Sequence, residues 1–512
     1  MSRLTTRRRG MVLVLVLIIV AMISLGSYSF SELMFAEYRA ARLHERRLQA
    51  RLAAESGVEY AAARLAQTAE QQTRAPLAAA TDPWRGVLVN ESDNPAARSR
   101  FSLVAPPVAG DDTFKLRYGL GNESAKLNLY TLLEWDRAQP GAAQAALMRL
   151  PGMREELADA ILDWIDEDST PRPQGAEAEH YQALEPPYLP ANRPPVNLAE
   201  LLQVRGVTRA MLLGDDANRN GYLETVELEA AERRRQEATE ESTPFGWSTY
   251  LTASSAEGNL APGGQPRIDL NRPELKPLYD QVVAQFDESW ATFIVAYRQF
   301  GPYVGPAASS TSPASVVDFA KPARFTMASL LDLIGARVYI PAAGAQPITV
   351  LASPLANDQD ALRQHLPKLL DWTTKAAPQE LIVGRVNVNL ACREVLSAIP
   401  KLDPVLVEEI LSKRGAEASV SPERRHISWL LAEGLVTLEQ LKVLLPYVTT
   451  GGDVHASQVV GFLDQRGPLV RAEVLLDATR RPVRLLSWND LAPLGRGFDA
   501  ELLGALPAGD RP

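Results

Sequence analysis

Cysteine is nearly absent from this chain. Its 512 residues include one cysteine, Cys392, so no internal disulfide can form and a cysteine-based zinc site is excluded. A chain of this length can bury a sizeable core without disulfides, so the absence assigns no cellular compartment. Hydrophobic residues make up 46% and charged residues 22%, which is the composition of ordinary globular domains. The length predicts about three such domains.

Residue patterns that signal catalysis are also missing. The histidines form no pair at helical spacing, the serines lack the glycine-flanked motif of nucleophilic hydrolases, and no phosphate-binding loop occurs. These absences predict a protein that is not an enzyme, although a triad assembled from distant residues would escape this argument. The histidines are His44, His180, His365, His426 and His455.

Basic residues are outnumbered by acidic ones. The chain has 53 Lys and Arg against 62 Asp and Glu, which gives a net charge of −9 and a pI of about 5.4. An acidic chain repels phosphate backbones unless one face is locally basic. We therefore expect no nucleic-acid partner.

A long hydrophobic run occurs at the N-terminus. Residues 11–31 carry no charge, and the first acid is Glu32. As a helix this segment is about 30 Å long, enough to cross the hydrocarbon core of a bilayer. Arg3 and the three arginines at 7–9 precede it. This arrangement predicts a single-pass membrane protein with a cytoplasmic N-terminus and its bulk on the other side.

Simpler interpretations of this segment exist. A secretory signal cut after Ser24-Leu25-Gly26 would end there, yet the apolar character continues as far as Phe35. A plain membrane anchor with a helical stalk also remains possible. No proline occurs before Pro76, and strong helix formers dominate after Glu32, so we predict one helix from about residue 11 to about residue 72.

The segment also resembles a known leader. Three arginines and Gly10 stand directly before the apolar run, which continues into "RLAAESGVEYAAARLA" (51–66). This pattern resembles a class III prepilin leader. The resemblance implies that a membrane prepilin peptidase cuts between Gly10 and Met11, that the new N-terminus is methylated, and that the helix is kept for packing in a filament.

One position departs from the leader pattern. Most proteins with such a leader carry glutamate at the fifth mature position, where this chain has Leu15. In the family this carboxylate is thought to pair with the terminal amine of the neighbouring subunit. An unpaired charge in lipid is costly, so the apolar residue suits a subunit with no neighbour above it, at the tip of a filament.

A short element recurs in the body of the chain. It reads "KLNLYTLL" at 126–133, "RIDLNRPEL" at 267–275 and "RVNVNLACREVL" at 385–396, with a looser copy at 195–207. Helical segments joined by tight turns follow, at 150–165, 288–300 and 399–414, and look like SAM-like or helix-hairpin-helix units. DNA-binding hairpins of this kind are glycine-rich and lie in basic surroundings. These are not, which favours packing against protein.

The block at 161–207 resembles the K-type minor pseudopilin of type II secretion, a large tip subunit. The residues that carry the resemblance are Asp163, Trp164, Ile165, Asp166, Asp168, Pro171, Arg172, Gly175, Ala176, Glu177, Tyr181, Pro187, Tyr188, Asn192, Arg193 and Pro194. The resemblance covers residues 7–70, about 114–208 and 385–491. The last stretch, from 459, is predicted to form two strands and a turn.

The resemblance implies an α+β fold. A long N-terminal transmembrane pilin helix is followed by a small pilin-like sheet with inserted α-helical SAM-like or helix-hairpin-helix domains. The predicted divisions are a leader (1–10), the pilin helix (11–72), the first part of the sheet domain (73–135), a helical domain with an EF-hand-like loop (136–265), a second repeat with an insertion (266–384), a third repeat (385–450) and closing strands (451–512).

An acidic loop follows the helical segment at 150–165. Seven acids and a single arginine, Arg172, lie between 160 and 187. So many carboxylates repel one another unless water or a cation separates them, and calcium accepts several oxygen ligands. Related tip subunits bind calcium, which makes Asp163, Asp166, Asp168 and Glu177 candidate ligands. A solvated acidic loop is the equal alternative.

A second calcium motif is "DANRNGYLETVE" at 216–227. Its spacing matches an EF-hand loop, with a turn glycine at Gly221 and an apolar residue at Leu223. An Asn-Gly turn before a helix is the simpler alternative. The predicted ligands are Asp216, Asn218, Asn220, the carbonyl of Tyr222, Glu224 and the bidentate Glu227.

Two functions are compatible with this sequence. The first is a minor pseudopilin that caps the type II secretion pseudopilus and helps initiate its assembly for export across the outer membrane. It would lie in the inner membrane with its bulk in the periplasm, with calcium as cofactor. Its partners would be other minor pseudopilins, inner-membrane secretion components and the prepilin peptidase. The alternative is a membrane-anchored helix-hairpin-helix DNA receptor or calcium-binding surface protein.

Overall fold

The structure is a computed structural model of the whole chain. It describes residues 9–67, 78–79, 83–94, 97–110, 116–237, 243–305, 317–341, 349–377, 380–415, 424–464 and 467–504.

Helices and strands alternate in an α+β arrangement, as predicted. The helices are α1 (Arg9–Leu65), α2 (Leu129–Ala138), α3 (Ala142–Leu147), α4 (Glu155–Ile165), α5 (Ala178–Gln182), α6 (Arg209–Leu213), α7 (Thr225–Glu237), α8 (Leu275–Gln285), α9 (Glu288–Phe300), α10 (Gln359–Trp372), α11 (Arg393–Ser397), α12 (Pro404–Arg414), α13 (Trp429–Ala432) and α14 (Leu438–Leu444). The strands are β1 (Ala78–Ala79), β2 (Val87–Asn90), β3 (Ser99–Val104), β4 (Tyr118–Gly119), β5 (Gly121–Asn122), β6 (Leu127–Asn128), β7 (Leu251–Thr252), β8 (Ala256–Glu257), β9 (Ile268–Asp269), β10 (Arg337–Ile340), β11 (Thr349–Ala352), β12 (Thr373–Thr374), β13 (Ile382–Val383), β14 (Val386–Asn387), β15 (Val448–Thr449), β16 (Val454–Leu463), β17 (Val470–Asp477) and β18 (Arg484–Asp490).

The long helix α1 has two different halves. Among the described residues it is the one helix long and apolar enough to cross a membrane, and its most apolar stretch is entirely exposed. Its C-terminal half buries small residues, among them Ala50, Ala54 and Ala61, against the sheet. The helix ends at Leu65, seven residues before the predicted end. Residues 68–77 lie outside the described part of the chain.

The main sheet receives α1 on one face. Its strand order is β1-β4-β3-β16-β17-β18, with β2 paired to β3 and β5 paired to β16. Strand β16 is antiparallel to both β3 and β17, so distant parts of the chain form one sheet. The region 459–491 holds three strands, and the prediction of two strands there was wrong. The edge strand β18 is exposed along nearly its whole length, so its sequence lacks the apolar alternation of a half-buried strand.

Glycine sets the distance between α1 and the sheet. A Cβ atom at Gly461 in β16 would overlap the carbonyl oxygen of Ala50 and lie 2.6 Å from the amide nitrogen of Ala54. A Cβ at Gly57 in α1 would lie 2.9 Å from the side chains of Phe101 and Val459. Helix and strand therefore meet backbone to backbone.

The recurring sequence element marks three helical blocks. Each block opens with a two-residue strand that pairs in parallel with a two-residue strand at its end. The pairs are β6 with β7, β9 with β12, and β14 with β15. The blocks therefore span about 127–252, 268–374 and 386–449.

The same polar residues open and close these blocks. Asn128, Asp269 and Asn387 each accept a hydrogen bond from the backbone amide two residues later, at 2.8 to 3.0 Å. The closing threonines at 252, 374 and 449 do the same through their hydroxyls at 3.1 Å. The sequence therefore repeats because each block needs the same polar side chains to form these local turns.

The first block begins earlier than the predicted boundary at 136. Leu129, Leu132 and Trp135 of α2 pack in the helical core with α4, while a separate core joins α1 to the main sheet. The fourth, looser copy of the element does not open a block. Its Asn197 caps a 3-10 helix at Leu198–Gln203 instead.

Candidate functional sites

The EF-hand-like segment forms a loop between α6 and α7. Arg219 and Gly221 have positive φ angles of 57° and 83°, which curl the backbone around the carboxylate of Asp216. Oδ1 of that carboxylate accepts a hydrogen bond from the amide of Asn220 at 3.1 Å, and Oδ2 accepts one from Gly221 at 2.7 Å. The glycine thus takes the left-handed turn that the motif requires.

The last ligand position closes the loop. Oε1 of Glu227 accepts from the amide of Ala217 at 2.9 Å, and Oε2 accepts from the amide of Glu224 at 3.1 Å. The side-chain amides of Asn218 and Asn220 both donate to Oε1 of Glu224, at 3.3 and 3.1 Å. All five side chains among the six predicted ligands are therefore within one hydrogen-bonded network.

Burial of the carboxylates in this network disfavours their charged forms. Asp216, Asn220 and Glu227 are 5%, 0% and 8% exposed. Burial, with a smaller contribution from the charge of Glu227, raises the pKa of Asp216 to about 6, although the hydrogen bond from the amide of Gly221 opposes the rise. Oδ1 of Asn218 is buried and has no hydrogen-bond partner among the described residues. A hard cation would neutralise these carboxylates and use that oxygen, so the residues fit calcium.

Tyr222 enters the same network through its hydroxyl. The hydroxyl donates to Oε1 of Glu224 at 3.3 Å. Burial raises the pKa of Tyr222 to about 12, with the charge of Glu224 adding to the effect. The phenol therefore stays protonated as a donor at neutral pH.

In the acidic loop, Asp163 lies outside the cluster of the other three candidate ligands and pairs with Arg172. Asp163 is fully buried, and Nη1 of Arg172 donates to its Oδ1 at 2.8 Å. Burial raises the pKa of Asp163, and hydrogen bonds from Arg172 oppose the rise. A Cβ at Gly175 would overlap the Asp163 carboxylate, so glycine lets the loop close on it. Asp163 serves to hold the loop.

The remaining three candidates come together. Asp166, Asp168 and Glu177 each place a carboxylate oxygen within 4.8 Å of the others. Glu177 is 6% exposed, and neither of its oxygens has a hydrogen-bond partner among the described residues. Burial, with smaller contributions from the charges of Asp163 and Asp166, raises the pKa of Glu177 to about 7.

These three carboxylates fit a divalent cation. A buried carboxylate without a partner is costly, and calcium supplies the missing charge to several oxygens at once. Asp166 also accepts from Nη1 of Arg172 at 2.5 Å, so the cation would share it. The other acids of the loop, Glu167, Glu179 and Glu185, point into solvent.

The leader residues lie at the start of α1. Gly10 and Met11 are in its first turn, and residues 1–8 lie outside the described part of the chain. Met11 is 69% exposed and Leu15 is 58% exposed, so neither packs against the rest of the protein. The apolar half of the helix is left for a membrane or for other helices.

Sequence reasoning missed the residues that contact the EF-hand-like loop. These are Gln458, Arg471 and Glu473 on β16 and β17, which lie more than 200 residues away in the chain. The sequence contained one indication of these contacts. Arg471 occupies a core position in the apolar stretch at 470–476, and a buried arginine needs hydrogen-bond acceptors close to it.

These features define a class of protein. It is a helix-anchored protein in which a single apolar helix continues onto a small antiparallel sheet that carries large helical insertions. Residues 125–213, which contain α2 to α6 and the acidic loop, match the family described as type II secretion system (T2SS), protein K.

Curated relatives agree with this match. Type II secretion system protein K of Klebsiella pneumoniae is 29% identical over 220 residues, 40% of this chain and 60% of that protein. The Pseudomonas aeruginosa protein of the same name is 33% identical over 102 residues, 19% of this chain and 31% of that protein. The chain thus spans less than two thirds of these relatives. The predicted resemblance is confirmed, and the matched parts of this chain are similar to type II secretion system protein K.

A solved structure was also found to be similar. It is the GspK-GspI-GspJ complex from the type 2 secretion system of enterotoxigenic Escherichia coli. The match has 11% identity and a TM-score of 0.37, and it covers 88% of this chain and 99% of that one.

Proposed function

We propose that this protein is a structural subunit at the tip of the type II secretion pseudopilus, where it helps initiate assembly for protein export across the outer membrane. The observation that carries the proposal is the exposed apolar run of α1 at residues 11–31, which contains no carboxylate. Apolar surface of this size is unstable in water and needs lipid or neighbouring helices.

The absence of a carboxylate from residues 11–31 favours the tip position. Leu15 leaves no charge to be neutralised by a subunit above. The three helical blocks also make the head large beside a single helix, and a head of that size would not repeat along a narrow filament. Similarity of residues 125–213 to the protein K family supports the same role. The family consists of structural pseudopilins, so we propose no enzymatic activity.

The proposed topology follows from the charges at the start of the chain. The N-terminal arginines stay cytoplasmic, α1 crosses the inner membrane once, and the sheet and helical blocks lie in the periplasm. The prepilin peptidase cuts between Gly10 and Met11, and the new terminus is methylated. Other minor pseudopilins then pack on α1, as GspI and GspJ accompany GspK in the E. coli complex. Inner-membrane secretion components are the further expected partners.

We further propose calcium as the cofactor of the two carboxylate sites. One site uses Asp166, Asp168 and Glu177, and the other uses the loop at 216–227. The buried carboxylates and the unpaired oxygens of Glu177 and Asn218 support this assignment. Isothermal titration of calcium into the purified chain should release heat that Glu227→Gln reduces. A Glu229→Gln variant, two residues beyond the loop, serves as the matched control.

N-terminal sequencing tests the proposed route. Protein extracted from membranes with an active prepilin peptidase should begin at Met11. A Gly10→Ala variant should keep the leader, whereas Gly26→Ala should be processed normally, because a Cβ at Gly26 meets nothing within 4 Å. A start at Met1 or Ser27 in the parent protein would contradict the proposal.

A further inference from the structure

The EF-hand-like loop lies against the main sheet of the pilin-like domain. Nη2 of Arg471 in β17 donates to the carbonyl of Asn218 at 2.6 Å, and Nε2 of Gln458 in β16 donates to the carbonyl of Arg219 at 2.7 Å. The loop is therefore an acceptor surface for two side chains of the sheet.

In two further contacts the loop supplies the donor and the sheet side supplies the acceptor. Nη2 of Arg219 forms an ion pair with Oε2 of Glu473 in β17 at 2.8 Å, and Nδ2 of Asn220 donates to the carbonyl of Gly497 at 2.8 Å. All four contacts thus come from three consecutive loop residues, 218–220. Two of those residues, Asn218 and Asn220, are also proposed calcium ligands.

Arg471 is the centre of this contact. Its side chain is fully buried, and in the part of the chain that the structure describes no carboxylate pairs with it. Its guanidinium is instead held by the carbonyls of Asn218, Leu494 and Gly495 and by Oε1 of Gln458. Losing the loop carbonyl would leave a buried charge with one fewer acceptor, which is costly.

The proposed ligands and the contacts with the sheet share the same residues, since Nδ2 of Asn220 donates both to Oε1 of Glu224 within the loop and to the carbonyl of Gly497 outside it. Within the loop, Asp216, Glu224 and Glu227 bring three carboxylates together, and they repel one another without a cation. A bound cation would draw their oxygens inward. It would thereby fix the carbonyls of residues 218 and 219 and the amide of Asn220 on the outer side, where the sheet meets them.

We propose that calcium in the loop at 216–227 controls the docking of the first helical block on the pilin-like sheet. This inference rests on the proposed calcium site. The block is also tied to the sheet by the chain itself, which enters it directly after β5, a strand paired with β16, so the control acts on the end of the sheet near residues 494–498 rather than on the whole interface. Binding and docking must strengthen each other equally, because coupling between two sites is reciprocal.

Hydrogen exchange measured by mass spectrometry tests the inference on the full chain in detergent micelles. Excess calcium, compared with EGTA, should slow exchange at least about fivefold in the loop and also in β17 and residues 494–498. A Glu227→Gln variant should lose both effects. Slow exchange confined to 216–237 in the calcium-bound parent would overturn the inference and leave the calcium site standing.

Calcium titrations of sheet variants test the reciprocal effect. Gln458→Ala removes the donor to the Arg219 carbonyl and touches no proposed ligand, and it should weaken calcium binding about fivefold. Gln359→Ala is the matched control, because its Nε2 donates to the carbonyl of Ala432 at 2.7 Å in another block. Equal affinities for the parent and Gln458→Ala would overturn the inference. A parent that releases no heat with calcium would overturn the proposed site and the inference together.

Discussion

Two buried ionisable side chains, His455 and Glu177, illustrate how single residues set the response of this protein to pH. His455 lies in β16 with its Nδ1 unpaired among the described residues, and Glu177 lies in the acidic loop with both oxygens unpaired. In each case burial favours the neutral form. Because one is a base and the other an acid, they act on stability in opposite directions.

His455 should make the fold less stable in mild acid. Burial lowers the pKa of His455 to about 4. Between pH 6.5 and 4, His455 is therefore protonated in the unfolded chain and neutral in the folded chain. The free energy of unfolding should therefore fall by on the order of 3 kcal/mol as the pH drops through that range. Urea unfolding of the parent and of His455→Gln measures this difference. Parallel pH curves for the two proteins would contradict the prediction.

Glu177 should destabilise the calcium-free protein at high pH. Its folded pKa of about 7 exceeds the ordinary value of 4.5, so the folded chain holds a proton that is lost as the pH rises through 7. In EGTA at pH 8, Glu177→Gln should therefore melt a few degrees higher than the parent. Calcium should raise the melting temperature of the parent by more than that of the variant, because the variant keeps only the proposed site at 216–227. The exposed Glu179→Gln should behave as the parent does, and equal calcium effects in the parent and in Glu177→Gln would exclude this ligand.

At the scale of elements, the contact between α1 and β16 depends on small residues. Ala50 and Ala54 on the helix face Gly461 on the strand, and no space remains for a methyl group at that glycine. The helix that enters the membrane is thereby fastened to the sheet by backbone contact rather than by long side chains. A rigid joint of this kind transmits the position of the helix to the head.

Gly461→Ala should destabilise this joint. The added methyl group overlaps the carbonyl of Ala50, and overpacking of this kind costs about 1–3 kcal/mol. Chemical denaturation followed by the fluorescence of Trp84, which is buried in the same core, gives the loss. Gly26→Ala adds the same group where nothing lies within 4 Å and should cost nothing. Equal stabilities for the two variants would show that helix and strand are not in contact there.

At the scale of the whole molecule, an exposed apolar helix is joined to a head of one sheet and three helical blocks. The blocks share one core and the sheet shares another with α1. A head of this size at the end of a single helix suits a subunit that occurs once, at the end of a filament. The position of Leu15 in the helix tests this arrangement.

Leu15→Glu should impair the protein. The new carboxylate would lie in the membrane-spanning part of α1 with no subunit above to neutralise it, and a charge at the centre of a membrane helix costs about 3 kcal/mol. Protein export by cells that carry the variant should fall, as should co-purification with smaller pilin-like partners. Leu15→Ile should preserve both. Normal export with Leu15→Glu would contradict the tip position.

Sequence by itself determined what depends on neighbouring residues. The apolar run of α1, the turn residues that open the three blocks, and the order of oxygen-bearing side chains in 216–227 are all local patterns, and the structure contains the corresponding local elements. The edge strand β18 was missed because its exposed residues carry no apolar alternation. The assignment of α2 to the first block was missed because the apolar face of this helix has the same sequence pattern whether it packs in the helical core or in the core of the main sheet.

Tertiary structure decided what depends on residues far apart in the chain. Arg172 pairs with both Asp163 and Asp166, and the fold gathers Asp166, Asp168 and Glu177 within reach of one another. Arg471 and Gln458 contact the EF-hand-like loop across some 240 residues of sequence, through the pairing of β16 with β3 and β17. Charge pairing and sheet pairing act between atoms in space, so a linear pattern specifies the groups that interact only after the fold has brought them together.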